Sequence, residues 1–540
     1  WEDPAKRTFI NHRVCEGCGD CGKASTCLSI EPRETPFGRK RQINQSSCNK
    51  DFSCIEGFCP SFVTVHGGKL RGPDRRDARL QPFEVPQPER PVLSGTYSVL
   101  VGGIGGTGVV TVGQVLAMAA HIDGTPCLSL DVMGMAQKYG AVFSHLNFAS
   151  DTGKLNAARI GIGQTDALIG CDLIVASGHE PTATLAPGRS KAVLCADVIA
   201  TAEFARDADW TASPETLIER IERVVGAEAL TTVDGQRLAV GLLGDAVASN
   251  MMMVGVAWQK RLIPLSLAAI RRAIELNGVQ VPMNLASFEW GRCIADDPQR
   301  VERMLQGGQV VTFHPRRTEQ PLPERIESFK TELTAYGGAA LARRYARFVE
   351  AARQADPAPD GQPSFTAAVA ASYYKLLAVK DEWEVARLHA SPAFIQEIAA
   401  TFEGDFELHF HVGAWPFART DPVTGRPVKR ELGPWLMNAF RLMARMRRLR
   451  GTWLDPFRHN AERALDRRLL AQFEADMPKL QSSLRADNYE TAVAIARLPE
   501  RIRGYGHVRV AHAEQADAER RRLLQRLEAP RIVEVVRQVG

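Results

Sequence analysis

The chain has 540 residues, 45% of them apolar and 24% charged, with 67 Lys and Arg against 62 Asp and Glu. That length exceeds what one hydrophobic core fills and predicts two to four domains. A net charge of +5 spread over so much surface gives no basis for a nucleic-acid or membrane partner, and no apolar run reaches the length of a membrane span.

Residues 1–66 are cysteine-rich. Seven of the eleven cysteines fall there, spaced Cys15-x2-Cys18-x2-Cys21-x5-Cys27 and Cys48-x5-Cys54-x4-Cys59-Pro60. The other four, Cys127, Cys171, Cys195 and Cys293, sit in apolar surroundings and read as buried free thiols. This usage predicts a reducing, cytoplasmic compartment and metal ligation rather than disulfides. Zinc is the alternative, but structural zinc usually takes two separated pairs of ligands. Three thiols in one overlapping run suit three corners of an iron–sulfur cubane, with a distant Cys-Pro as the fourth. Cys15, Cys18, Cys21 and Cys59 are therefore expected to hold one [4Fe–4S] cluster. Cys27, Cys48 and Cys54 are left for a second, which lacks a fourth cysteine. The gap before Cys27 is also longer than in two-cluster ferredoxins, and Leu28 stands where a proline is usual. The sequence opens on Trp1 rather than Met and has no secretory pattern, so residues upstream are expected.

Residues 67–96 carry prolines at 73, 82, 86, 88 and 91 and are expected to be an extended linker. From Tyr97 strand and helix patterns alternate. YSVLVGGIGGTG reads as a strand running into glycines and VVTVGQVLAMAAHI as a helix; TPCLSLDVM, AVFSHLNFA, CDLIVAS and KAVLCADVIA read as further strands. The alternation predicts a doubly wound α/β domain over 97–315. The stretch 238–258 is expected to be a buried helix preceded by a loop. Over 316–540 the strand signals fade and a mostly α-helical domain is expected, with Phe365, Val369, Tyr373 and Leu376 on one helical face and a small strand pair near 405–430.

Gly103, Gly105, Gly106 and Gly108 follow a strand and precede a helix in a G-x-G-x-x-G pattern, and Asp131 ends the next strand. Three readings stay open. One is a dinucleotide site with the acid on the ribose. A second is a tight turn with close helix–strand packing. The third is an anion or subunit contact at the helix start.

At this point a family resemblance enters. CEGCGDCG…FGRKRQINQSSCNKDFSCIEGFCPSFVTV resembles the iron–sulfur segment of indolepyruvate:ferredoxin oxidoreductases, members of the 2-oxoacid:ferredoxin oxidoreductase superfamily. VGGIGGTGVVTVGQVLAMAA, DVMGMAQKYGAVFSHLNFA and SNMMMVGVAWQ are similar to their gamma-type catalytic domain, and YKLLAVKDEWEVARL and LPERIRGYGHV to a C-terminal extension of the long form. The resemblance implies oxidative decarboxylation of an arylpyruvate to an acyl-CoA, with electrons leaving through [4Fe–4S] clusters to ferredoxin. It implies thiamine diphosphate with Mg2+, coenzyme A as cosubstrate, and a dimer of heterodimers. Gly244-Asp245 is followed by Ala246 and lacks the asparagines of a thiamine motif. The thiamine-bearing part is thus expected upstream or on a separate subunit, and activity only with it. Gln137 and Lys138, with the segment from Met133 to His145, are expected against that partner together with the glycine loop. An iron–sulfur electron-transfer module with a nicotinamide- or flavin-binding domain is the alternative. His409 and His411 share a strand face and read as packing, since the sequence offers no third ligand nearby; the basic stretch 441–450 reads as a solvated or subunit-facing helix.

Overall fold

A computed structural model describes residues 5–27, 29–71, 81–134, 140–198, 204, 206–306, 320–358, 364–413, 419–420, 427–458 and 460–528. The described chain falls into two compact units. One joins residues 1–43 and 50–69 to 316–540; the other holds 44–49 and 70–315. The cysteine segment and the C-terminal helices thus share one unit, which nothing in their sequences signals. Among the described residues no helix is long and apolar enough to cross a membrane.

In the first unit, β1 (Lys6–Ile10) pairs antiparallel with β4 (Phe62–Leu70), Ile10 lying opposite Phe62. The chain leaving β1 and the chain entering β4 therefore meet at one end of the sheet. β2 (Ile30–Arg33) and β3 (Lys40–Ile43) form a hairpin between them. The strand β4 runs on through Gly67 and Gly68 to Leu70, so the first residues of the expected linker are strand.

In the second unit, β5 (Thr96–Ile104) leads into α1 (Val109–Ile122). β6 (Cys127–Met133), β7 (Ala141–Ala149), β8 (Ala167–Gly170), β9 (Lys191–Cys195) and β10 (Leu230–Val233) complete a six-stranded sheet of order β10-β9-β8-β5-β7-β6. The four strands from β10 to β5 are parallel, whereas β7 runs antiparallel to both β5 and β6. The sheet is mixed, with helices on both faces, so the expected α/β domain is present with one antiparallel strand inserted. Its two faces follow the period of two. Val99, Val101, Ile169 and Val193 face one apolar core, with α1 and the helices Ser249–Gln259 and Val281–Asp296. Leu100, Leu168 and Leu194 face another, with the helix Pro214–Val225. Helices on both faces let each strand be apolar on both sides.

The stretch 171–177 is not a strand. Asp172 accepts the N–H of Val175 and caps a short helix, Leu173–Ala176; the strand is the preceding Ala167–Gly170. The helix Ser249–Gln259 is buried almost all round, as expected, because Gly255 and Gly291 let it cross Val281–Asp296 at close quarters, but most of the stretch before it belongs to another helix, Gly235–Leu243, rather than to a loop. From residue 81 the proline-rich stretch has no helix or strand and lies on this core through Phe83, Val85 and Leu93.

In the C-terminal part, Phe365, Val369, Tyr373 and Leu376 are all buried on the helix Phe365–Leu377. β11 (Phe402–Val412) adds to β4, and, after the short pair β12 (Arg419–Thr420) and β13 (Pro427–Val428), β14 (Arg430–Leu432) adds to β11. The expected strand pair is thus part of the sheet that carries the cysteine loops.

Candidate functional site

The loop after β1 carries Cys15 and Cys18, and Cys21 sits in the short helix Asp20–Ser25. The arm before β4 carries Cys54 in a 3-10 turn, Ser53–Glu56, and then Cys59. Asn11 N–H donates to Ser61 O at 2.8 Å and Phe58 N–H donates to the Asp20 carboxylate at 2.7 Å, so the two arms are tied at both ends. Cys15, Cys21, Cys54 and Cys59 are buried in one apolar cluster with Ile10, Val14, Phe62, Val385, Leu388 and Tyr505.

Four of the thiols act on one another. Burial, then Cys59 and Cys15, push the Cys18 thiol up; burial, then Cys15, Cys18 and Cys59, do the same to Cys21; burial and Cys15 push Cys59 up to about 11. Left as free groups, Cys18, Cys21 and Cys59 would stay protonated, because burial and neighbouring thiolates both disfavour their charged forms. A cationic partner reverses that, and the surroundings are cationic. Burial lowers Arg41 while Cys15, Cys21 and Cys18 raise it; burial lowers Lys429 while Cys59, Cys21 and Cys54 raise it. Gly17 N–H points at the Cys15 sulfur, 3.3 Å away, and Ser61 Oγ lies 2.9 Å from the Cys59 sulfur. The donor set is four converging sulfurs with an N–H bond to one of them, and it fits an iron–sulfur cluster.

Residues of the C-terminal part, most of them in the turns between its helices and strands, hold the loops by their carbonyls. Lys380 Nζ donates to Cys15 O at 2.9 Å, Tyr505 Oη to Val14 O at 2.6 Å, and Lys429 Nζ to Cys59 O at 3.2 Å; His389 Nε2 lies 2.9 Å from Pro60 O. Glu16, inside the first cysteine loop, is buried and pairs with Lys380 at 2.8 Å. Burial would raise its carboxyl, yet Lys380, Lys40, Lys375 and Arg509 hold it well below the usual carboxylate range. Sequence reasoning missed this second layer; only Glu16, inside the cysteine run, offered a signal. A cavity of about 660 Å³ borders Cys59, lined among others by Phe58, Pro60, Phe440 and Tyr505.

Of the remaining cysteines near the N-terminus, Cys54 shares this buried cluster and the other two are less gathered. Cys27 is half-buried at the edge of the thiol cluster, and Cys48 lies in the 44–49 segment that groups with the second unit.

In the second unit the glycine loop is a packed turn. A side chain at Gly103 would meet Val109 at 2.6 Å and Cys171 at 3.1 Å, and Gly105 N–H already donates to Gly140 O. Gly106 and Gly108 have φ of +86° and +98°, which the turn into α1 requires. Asp131 is not placed as a ribose acid. A dinucleotide fold puts that acid on the strand beside the glycine strand, whereas β7 stands between β6 and β5. Its carboxylate instead accepts the Ser144 hydroxyl at 2.5 Å beneath α1. His145 is buried and accepts the N–H of Ile160. Asp245 caps the turn at 246–248. Gln137 and Lys138 lie outside the described residues.

Residues 98–293 match the family described as pyruvate ferredoxin/flavodoxin oxidoreductase, and residues 322–522 a family of unknown function, DUF6537. Indolepyruvate oxidoreductase subunit IorB of Pyrococcus horikoshii is 22% identical over 203 residues, covering 36% of this chain and 94% of the relative. The subunit of the same name from Thermococcus kodakarensis is 23% identical over 197 residues, with the same coverage. Among solved structures, a keto/oxoacid ferredoxin oxidoreductase gamma subunit from Geobacter sulfurreducens matches 37% of this chain and 98% of its own at 19% identity and a TM-score of 0.27. Pyruvate oxidoreductase subunit PORC of Thermotoga maritima matches 37% and 96% at 15% identity and a TM-score of 0.28. Over residues 98–293 the chain is thus similar to the pyruvate ferredoxin/flavodoxin oxidoreductase family, and it has IorB subunits of indolepyruvate oxidoreductases among its relatives.

Proposed function

We propose that the chain is the electron-carrying and gamma-type half of a thiamine-diphosphate-dependent arylpyruvate:ferredoxin oxidoreductase, working only with a thiamine-bearing partner and using coenzyme A. The observation that carries this reading is the convergence of Cys15, Cys18, Cys21 and Cys59 in one buried, cation-ringed pocket of a chain whose 98–293 segment is similar to the pyruvate ferredoxin/flavodoxin oxidoreductase family. Those four residues would hold a [4Fe–4S] cluster, which supplies one-electron transfer. Arg41 and Lys429 offset the negative charge of the thiolates, the Gly17 N–H stabilises the Cys15 sulfur, and Lys380 and Tyr505 fix the loop backbone. Cys27 and Cys54 are left for a second cluster in this reading. The arylpyruvate preference is carried over from the indolepyruvate relatives. The Gly103–Gly108 turn and the Gln137–Lys138 segment follow the first two strands of the α/β unit and are the surface offered to the partner or the coenzyme A path. The packing of Asp131 against Ser144 weighs against a nicotinamide module.

The experiment is reconstitution. The chain alone is expected to leave 2-oxoacids untouched. With the thiamine-bearing partner, indolepyruvate, coenzyme A and ferredoxin, reduced ferredoxin and acyl-CoA should form. Reduction of the isolated chain's chromophore by NADH would contradict the proposal.

A further inference from the structure

Three strands of the first unit bring together side chains that the proposed reaction does not use. His66 lies on β4, His409 and His411 on β11, and Glu431 on β14, which are neighbours in one sheet. His66 Nε2 is 2.9 Å and His409 Nδ1 is 3.1 Å from the same Glu431 oxygen, Oε1. One donor atom from each of the three lies within 4.8 Å of the others. His411 Nε2 reaches the same spot through Thr64 Oγ1, 3.2 Å from it and 3.3 Å from His66 Nε2.

We propose that His66, His409 and Glu431 bind one divalent first-row transition-metal ion of the zinc class. Imidazole nitrogens and a carboxylate bind such an ion at about 2.0–2.2 Å, which sets tetrahedral donors about 3.3 Å apart. The observed spacings of 2.9 and 3.1 Å need only a small widening. The two imidazoles stack at 3.9 Å between centroids and 20° between planes, which holds both rings against the same carboxylate. The outer groups also suit a ligand pair. Glu407 lies 3.7 Å from Nε2 of His409, the nitrogen that would carry the proton once Nδ1 binds metal. Lys6 opposes binding, since its ammonium pairs with Glu431 Oε2 at 2.8 Å. Such an ion would clip β4 to β11 and β14, joining the strand of the cysteine arm to the C-terminal part.

The test is equilibrium dialysis of the full chain against micromolar zinc chloride, with zinc and iron counted per chain and the melting temperature recorded. The expected result is one zinc beyond any held by cysteines, with a rise in melting temperature. Cys59→Ser should keep this zinc. His409→Ala and Glu431→Gln should each weaken it tenfold or more, as loss of a ligand costs at least what loss of an outer partner does. Lys6→Met should bind zinc about two- to fivefold more tightly, the worth of one partly exposed ion pair; this gain cannot come from a misfolded variant. No zinc beyond the cysteine sites, zinc lost with Cys59→Ser, or equal affinity in Lys6→Met and the unsubstituted chain would overturn the proposal.

Discussion

Gly17 stands between Cys15 and Cys18 with φ of +69°, and a methyl group there would sit 2.2 Å from the carbonyl oxygen of Arg39. Gly17→Ala therefore meets two costs. The left-handed backbone costs an L residue about 1–2 kcal/mol. The contact must also open from 2.2 Å to at least 3.0 Å, and the obstacle is backbone rather than a flexible side chain. Together these are of order 3 kcal/mol, less than a typical domain's stability, so the unit should still fold. Its sulfurs should not stay in place, since cluster ligation tolerates displacements of only about 0.2 Å. Gly38→Ala is the matched control, for Gly38 has φ of +87° in the adjoining hairpin turn and nothing within 4 Å of an added methyl. After anaerobic reconstitution, iron and acid-labile sulfide are counted per chain. Gly17→Ala should hold about four irons fewer than the unsubstituted chain, while Gly38→Ala keeps its iron. Full iron in Gly17→Ala, or equal loss in both variants, would refute the reasoning.

Three other outcomes follow from the same contacts. His389 is buried, which lowers it from 6.5 to about 4, with Asn11, Pro60 O and the Phe440 ring around it. Between those values the unfolded chain binds the extra proton, so its contribution is intact above pH 6.5 and lost as pH falls towards 4. The deficit is about 2 kcal/mol at pH 5, seen as a lower denaturant midpoint that His389→Gln should largely remove; an unchanged pH step in that variant contradicts it. Gly255→Ala should destabilise the α/β unit by about 3 kcal/mol, seen as a lower melting temperature, because its methyl would lie 2.0 Å from Phe288 O at a helix crossing; a wild-type melting curve would show the crossing is looser. Tyr505→Phe removes a buried hydroxyl bonded to Val14 O and should cost about 1–2 kcal/mol while loosening iron retention, measured as the rate of iron loss to a chelator.

What could be read from sequence follows the range of the interactions. The period-two runs Tyr97–Ile104 and Ala141–Ala149 and the face Phe365–Leu376 are local patterns, and all became the expected elements. CDLIVAS was misread because one hydrogen bond, from Val175 N–H to Asp172, turns an apolar run into a helix. The insertion of β7 between β5 and β6 leaves no trace in either strand's composition, so Asp131 looked like a ribose acid. Cysteine spacing pointed to the thiol set, but not to its clamp. Lys380 and Tyr505 lie 365 and 491 residues from the carbonyls they hold, and no periodicity links them. For the same reason His409 and His411 looked partnerless until β4 and β14 brought His66 and Glu431 beside them.

The central claim is that Cys15, Cys18, Cys21 and Cys59 together hold one [4Fe–4S] cluster. Metal and sulfide analysis with low-temperature electron paramagnetic resonance of the dithionite-reduced full chain tests it, comparing Cys59→Ser with Cys48→Ser. The account predicts a brown protein whose reduced cluster signal is lost in Cys59→Ser, with about four irons and four sulfides gone. In Cys48→Ser that signal should persist. Stoichiometric zinc without labile sulfide, or a cluster signal that survives Cys59→Ser and vanishes with Cys48→Ser, would contradict it.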